Sequence, residues 1–380
     1  MKKIKLLHIL TKLELGGAQK NVLEILSGLD PKKYDIHLIT SHGLLDEDAK
    51  KISHIHLAFC PFLHRSLNPF LDAFAFLYLV GYILMNRIHI LHSHSSKAGI
   101  LGRWAARLAG VPVILHTVHG WGFQEDKKSF MNCFYIFLER ITARFTSRLI
   151  AVSENDIRSG LKAGIGDQKK YSLIHCCLEP GFADSPSQEI KDYPVSLKRD
   201  RKDKAVGMVA CLKRQKNPLD FIKAADLIFQ KLPETKFFIA GDGVLRDEVE
   251  NEIKKRKLGE VVFLLGWRRD IEKIVSSWDV ILLTSLWEGL PVALLEAMSL
   301  RKPIVAYDAG GIREIVQDGE NGFLVSCGDV GGLSHQTRLL LENPDLCQKM
   351  GEAGHRIATG ESFSYVKMME NIENLYKEFE

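Results

Sequence analysis

The stretch Ser285-Leu286-Trp287-Glu288-Gly289-Leu290-Pro291-Val292-Ala293-Leu294-Leu295-Glu296 decides the fold. The apolar run before it, Val280 to Thr284, reads as a strand, and Gly289 marks a turn. Pro291 stands where a first helical residue is expected, because its preset φ suits a helix start and its missing N–H costs nothing there. The segment is therefore strand, loop, helix. Free backbone N–H groups and the positive end of the helix dipole converge at Gly289, Leu290, Pro291 and Val292, a site suited to the phosphates of a nucleotide. Glu288 stands just before that site and Glu296 roughly 7–8 Å further along the helix at 1.5 Å per residue. This separation suits a sugar on one side of a diphosphate and a ribose on the other. On spacing alone the two glutamates would be ordinary solvated charges. The site reading rests on their context, which includes a second strand, Pro303 to Tyr307, opening into Asp308-Ala309-Gly310-Gly311.

Outward from this segment, strand and helix alternate along most of the chain, which reads as parallel α/β architecture with ligands at the carboxyl ends of the strands. In the N-terminal half, strands are predicted at Lys5 to Leu10, Asp35 to Thr40, His54 to Phe59, His89 to Ser93, Pro112 to Val118 and Arg148 to Val152. Helices are predicted near Ala18 to Leu29, Lys97 to Ala109, Phe130 to Phe145 and Glu154 to Ala163. The pattern stops from Glu179 to Lys204, a Pro-, Asp-, Ser- and Lys-rich stretch that reads as an interdomain linker. It resumes with Ala205 to Ala210, helix Pro218 to Phe229, strand Lys236 to Ala240, helix Leu245 to Arg256 and strand Val261 to Leu265. Helices at Pro344 to Ala358 and Ser362 to Phe379 close the sequence. Domains at residues 1–178 and 205–360 follow.

The length of 380 residues fits two such domains. A net charge of +4 gives no case for nucleic-acid binding. Seven cysteines, an odd count without C-x-x-C spacing, imply a reduced, cytoplasmic protein without structural zinc. The basic start Met1-Lys2-Lys3-Ile4-Lys5 precedes too short an apolar run for a signal peptide and reads as the first strand.

Other loops at strand ends carry candidate site residues. Gly16 and Gly17, between the first strand and helix, permit close backbone approach to a ligand. His119, in His116-Thr117-Val118-His119-Gly120-Trp121, can hydrogen-bond a sugar hydroxyl or carry a proton, whereas His116 reads as structural. His92 and His94 invite a metal, but no third ligand stands at suitable spacing, so no metal is expected. Lys216 and Arg214, with Lys213, follow the second domain's first strand as cations, and Gly241 ends another strand in Ala240-Gly241-Asp242-Gly243. Asp46-Glu47-Asp48 reads as a polar loop and not a metal motif.

The acidic string resembles the E-x-x-x-x-x-x-x-E motif of retaining glycosyltransferases of family 4, which have the GT-B fold. Gly16-Gly17-Ala18-Gln19 resembles that family's G-G-A-[EQ] loop, His119-Gly120 its H-G signature and His92-Ser93-His94-Ser95 its H-[ST]-H-[ST] segment. The resemblance covers nearly the whole chain. It implies two Rossmann-like domains facing each other across a cleft, with a C-terminal helix, residues 361–380, crossing back to the first. It further implies metal-independent transfer of a hexose or N-acetylhexosamine from a nucleoside-diphosphate sugar, with UDP the expected nucleotide, to a glycan or polyprenyl-diphosphate-linked saccharide. Glu288 would position the donor sugar, Glu296 the ribose, Lys216 the diphosphate, and His119 would contact the sugar from the first domain. One departure is Cys211, where family members carry an arginine; Lys213 or Arg214 would supply that charge. A sugar-nucleotide epimerase and a catalytically silent binding subunit are the alternatives.

Pro69 to Met85 is almost wholly apolar, Asp72 excepted. A helix apolar all round is either core or lipid-facing, and both readings stand: core packing, or a monotopic face on the inner surface of the cytoplasmic membrane with Arg65, Arg87 and Lys97 near anionic headgroups. Asp72 argues against a true span.

Overall fold

The computed structural model describes residues 3–123, 129–182 and 203–379. The chain divides into two compact units: unit 1 is Met1–Cys176 with Val366–Glu380, and unit 2 is Cys177–Tyr365. Most of the expected linker, residues 183–202, lies outside the described residues.

Unit 1 runs β1 (Ile4–Ile9), α1 (Gly17–Gly28), β2 (Tyr34–Thr40), α2 (Asp46–Lys51), β3 (Ile55–Phe59), α3 (Pro69–Asn86), β4 (Ile90–His94), α4 (Ser96–Leu108), β5 (Val113–Val118), α5 (Phe130–Ala143), β6 (Arg148–Ala151), α6 (Glu154–Lys162) and β7 (Tyr171–Leu173). Its seven strands are all parallel, in the order β3-β2-β1-β4-β5-β6-β7. Such sheets are covered on both faces, which is why β1, β4 and β5 are apolar or buried nearly throughout.

Unit 2 runs β8 (Lys204–Val209), α7 (Pro218–Phe229), β9 (Thr235–Ala240), α8 (Arg246–Lys255), β10 (Val262–Gly266), α9 (Ile271–Ser276), β11 (Val280–Leu283), α10 (Val292–Ser299), β12 (Ile304–Tyr307), β13 (Gly322–Val325), α11 (Val330–Glu342) and α12 (Pro344–Ala358). Its sheet, also parallel, is ordered β10-β9-β8-β11-β12-β13. In each sheet the strand order reverses beside the first strand, between β1 and β4 and between β8 and β11, and crevices for ligands open at such switch points. The last helix, α13 (Tyr365–Lys377), belongs to unit 1 from Val366 onward. There Tyr376 stacks edge-on to Tyr34, and Asn21 donates to the Met368 sulfur at 2.9 Å.

Several expectations need correction. Asp46-Glu47-Asp48 is the first turn of α2, not a loop: Asp46 accepts from the Gly43 N–H at 2.8 Å and fixes the helix start. The edge strands β7 and β13 and helix α11 escape the sequence reading, because the strands have three and four residues and α11 opens on Val-Gly-Gly. Asp329, which accepts from the Gly332 N–H at 2.8 Å, supplies the cap that starts it.

Helix α3 resolves into two faces. Asn68 caps it, accepting from the Phe70 and Leu71 N–H groups. Ala75, Leu79 and Ile83 are buried and Phe76 packs against the same core, while Phe70, Phe74, Leu77, Leu84 and Met85 are exposed. By length and composition alone this helix could cross a membrane, a property it shares with core helices. Lys97 does not face outward as the membrane reading required: it is buried, ion-paired with Asp72, and donates to the Ser66 carbonyl at 2.6 Å. Arg65 is paired with Glu14 at 2.6 Å.

Candidate functional site

In unit 2 the loops after β8 and β11, on either side of the switch point, are stitched together. The Leu286 N–H donates to the Gln215 carbonyl at 2.8 Å, and the Gln215 side-chain amide donates to the Trp287 carbonyl at 2.8 Å and to Glu288 Oε2 at 3.4 Å. Thr284 closes the corner, its buried hydroxyl lying 2.9 Å from the carbonyl oxygens of both Lys216 and Asn217. These contacts bring Lys216 Nζ into an ion pair with Glu288 Oε1. Glu288 is buried and Lys216 largely so, so each charge is held by the other in a setting poorer in water than the surface.

The Lys216 corner is braced from behind. Asn217 adopts a left-handed backbone, φ 46°, and its side chain donates to Asp220 Oδ2 at 2.7 Å. The same oxygen accepts from the Tyr307 hydroxyl at 2.9 Å, and burial, with Asp220 beside it, raises the Tyr307 pKa. Arg214 is exposed and has no acidic partner among the described residues, so its charge is available to a ligand.

Gly289, Leu290 and Pro291 are buried, and α10 begins at Val292 with Pro291 as its N-cap, at φ −77° and ψ 97°. The expectation that Pro291 is the first helical residue is therefore one position early. Its carbonyl accepts from the Leu294 N–H at 2.9 Å, which is the cap's share of the first turn. Glu296 is buried on α10. Gly241 leaves β9 with φ 146°, and a Cβ there would lie 2.0 Å from the Ala210 carbonyl oxygen, so this glycine lets the β9 loop close on the β8 loop. Gly310 does the same for Glu288: at φ 60° its absent Cβ would stand 2.1 Å from the Glu288 carbonyl oxygen, and the Gly311 N–H donates to that oxygen at 3.2 Å.

In unit 1, Gly16 is the extended N-cap of α1 and Gly17 its first residue. Across the switch point, Ser95 sits at φ 62° and ψ 154°, a region occupied almost only by glycine, and its hydroxyl lies 2.7 Å from that of Thr11 at the end of β1. Strain of this kind collects at functional sites. His119 follows β5 and is half-buried. Its Nε2 lies 3.3 Å from His94 Nδ1, and His94 Nε2 lies 3.0 Å from His8 Nδ1. The reading that no third ligand stands at suitable spacing to His92 and His94 fails here: β1 brings His8 beside them, with ligand atoms of all three within 4.8 Å of one another. Burial lowers His8 to about 3 and His119 to about 4, and holds His92 and His94 well below the ordinary histidine range. All four are neutral at pH 7. His116 is buried with its Nδ1 3.0 Å from the Ser93 hydroxyl.

The residues missed by sequence reading are Gln215 and His8. Gly310 enters that reading only within Asp308-Ala309-Gly310-Gly311, where two glycines follow a buried strand, and not as the residue that lets the loop close on Glu288.

Two parallel α/β sheets with anion-suited loops at their switch points define a GT-B type of architecture, and the comparisons place it. The profile of Glycosyltransferase Family 4 matches residues 15–181, and that of Glycosyl transferases group 1 matches residues 189–356. The chain is 33% identical to the UDP-Gal:alpha-D-GlcNAc-diphosphoundecaprenol alpha-1,3-galactosyltransferase of Escherichia coli, over 98% of this chain and 97% of that one. It is 25% identical to the N,N'-diacetylbacillosaminyl-diphospho-undecaprenol alpha-1,3-N-acetylgalactosaminyltransferase of Campylobacter jejuni, over 85% and 86% of the two chains. The crystal structure of HepE from Anabaena with UDP and glucose shares the fold with a TM-score of 0.82 at 20% identity, covering 99% of this chain and 100% of that one. The chain belongs to glycosyltransferase family 4, with the GT-B fold.

Proposed function

We propose that the protein transfers a hexose or N-acetylhexosamine from a UDP-sugar to a hydroxyl of a saccharide carried on a polyprenyl diphosphate, with retention of anomeric configuration. The observation that carries this reading is the Lys216–Glu288 pair at the unit 2 switch point, beside the N-terminal end of α10. A departing diphosphate needs positive charge already in place, and Lys216, exposed Arg214 and the α10 N-terminus supply it without a metal. Glu288 would orient the hydroxyls of the donor sugar, and Glu296 would accept hydrogen bonds from the ribose. The two relatives named above support the acceptor class, since both names specify diphosphoundecaprenol-linked saccharides.

The test is incubation with UDP-sugars, with and without a synthetic polyprenyl-diphosphate GlcNAc. Acceptor-dependent UDP release and an α-anomeric proton signal in the product are expected. UDP release without acceptor would favour an epimerase, and a β-linkage from an α-donor would remove retention.

A lipid-borne acceptor fits a peripheral position on the inner face of the cytoplasmic membrane. Helices α3 and α5 both pack against α4. Phe70, Phe74 and Leu77 of α3, Trp104 and Leu108 of α4, and Phe130, Phe134 and Phe137 of α5 are exposed. Arg87 and Arg107 are exposed beside them and suit anionic headgroups. Phe74→Ser and Phe134→Ser should each weaken binding to anionic liposomes roughly tenfold or more, the scale of about 1.5 kcal/mol for burying one large apolar side chain. Since both side chains already face solvent, the variants should unfold as the wild type does. Wild-type protein that fails to sediment with such liposomes would refute the membrane face.

A further inference from the structure

Three buried histidines of unit 1, His8, His92 and His94, are joined in one continuous chain of hydrogen bonds that ends at His119. From Thr117 Oγ1 it passes to His92 Nε2 at 2.7 Å, and from His92 Nδ1 to the Tyr376 hydroxyl at 2.6 Å. It continues from that hydroxyl to His8 Nε2 at 3.2 Å, from His8 Nδ1 to His94 Nε2 at 3.0 Å, and from His94 Nδ1 to His119 Nε2 at 3.3 Å. Every ring nitrogen of His8, His92 and His94 is used. Each neutral imidazole carries one proton and each link needs one, and the Tyr376 hydroxyl, whose partners among the described residues are His92 and His8, must donate to one of them to keep its own buried proton paired, so all the links point the same way.

Only two directions exist, and the Thr117 end separates them. If His92 donates to Thr117, the threonine's own proton must find another acceptor, and among the described residues its hydroxyl has no second partner. A buried hydroxyl proton would then be left without an acceptor, which is unfavourable. If Thr117 donates instead, each proton is placed: Thr117 to His92, His92 to Tyr376, Tyr376 to His8, His8 to His94 and His94 to His119. His119 Nε2 is then an acceptor. Its proton sits on Nδ1, which has no partner among the described residues and belongs to a half-buried ring.

We infer that this chain locks His119 as the neutral Nδ1–H tautomer, so that it serves a bound ligand as a hydrogen-bond donor and not as a base, with Tyr376 of the C-terminal helix as a positioning residue. The depressed pKa values of the four histidines agree with neutral rings. The closeness of His8, His92 and His94 does not call for a metal ion, because ligation would take lone pairs that the chain already uses. The part of the inference that concerns turnover rests on the glycosyl-transfer reading above, whereas the tautomer does not.

The experiment uses full-length protein labelled with 15N-histidine, in which protonated and bare ring nitrogens differ widely in 15N shift; a His119→Gln variant assigns the signal. At pH 7 His119 is expected to carry its proton on Nδ1. Tyr376→Phe removes the donor to His8 and lets the chain reverse, so His119 should move toward the Nε2–H tautomer. Its kcat should fall about tenfold, the scale of one neutral hydrogen bond, with UDP affinity unchanged. Thr117→Val should have the same effect from the other end and carries the test if Tyr376→Phe does not fold, while Thr117→Ser should keep the wild-type tautomer. Wild-type His119 protonated on Nε2, a tautomer unmoved by Tyr376→Phe and Thr117→Val, or stoichiometric zinc retained through purification would each overturn the inference.

Discussion

Lys216→Ala is expected to lower the turnover of sugar transfer by roughly 10²–10³, the scale for removing one preorganised group that stabilises developing charge. Two effects combine. On the proposed reading the diphosphate loses a fixed cation, and the buried Glu288 loses the partner that holds its carboxylate, keeping among the described residues only the long side-chain contact from Gln215. Because the lysine matters most when negative charge gathers on the departing phosphate, kcat should fall more than the KM for donor rises. Steady-state kinetics on the folded variant decide it. A fully active Lys216→Ala beside an inactive Arg214→Ala would move the diphosphate role to the exposed arginine.

The largest expected effect on stability lies in unit 1. Arg103 is wholly buried on α4, where it donates to Glu139 Oε2 at 2.6 Å, to the Gly99 carbonyl at 2.9 Å and to the Thr146 hydroxyl at 3.4 Å. Glu139→Ala should destabilise the unit by about 3–5 kcal/mol, because it strands a cation away from water. Replacing both partners, as Arg103→Met with Glu139→Leu, should be milder than the single change, since no charge is then left unpaired. Urea titration followed by the fluorescence of Trp104, whose indole N–H donates to Thr142 at 3.0 Å, reads that transition. Equal losses for the single and double variants would show that packing, not charge, dominates there.

What the sequence discloses and what it hides divide along contact range. The β11–α10 turn is legible because its signals, an apolar strand, Gly289 and Pro291, are neighbours in sequence and each acts through local backbone preference. The neighbourhood of Lys216 and Glu288 is not, since 72 residues separate them and the residue that stitches their loops, Gln215, resembles any polar loop residue. His8 is hidden for the same reason: within its strand it reads as a polar interruption, and only the parallel pairing of β1 with β4, which sets His8 against His92, reveals the cluster. Helix α3 shows the opposite limit. Its composition is apolar on every side, so periodicity could not divide core from surface, and only the packing of its Ala75, Leu79 and Ile83 stripe does so.

The placement of Tyr376 has a consequence for how the protein is made. Unit 1 starts at the first strand, yet its deepest polar chain lacks its central hydroxyl until α13 arrives, and all of Cys177–Tyr365 is synthesised in between. At roughly 5–20 residues per second, a ribosome needs about 10–40 s for that interval. Throughout it, the hydroxyl that joins His8 to His92 is still missing from a unit whose seven strands have all been synthesised. The first unit to begin is therefore the last whose sequence is complete.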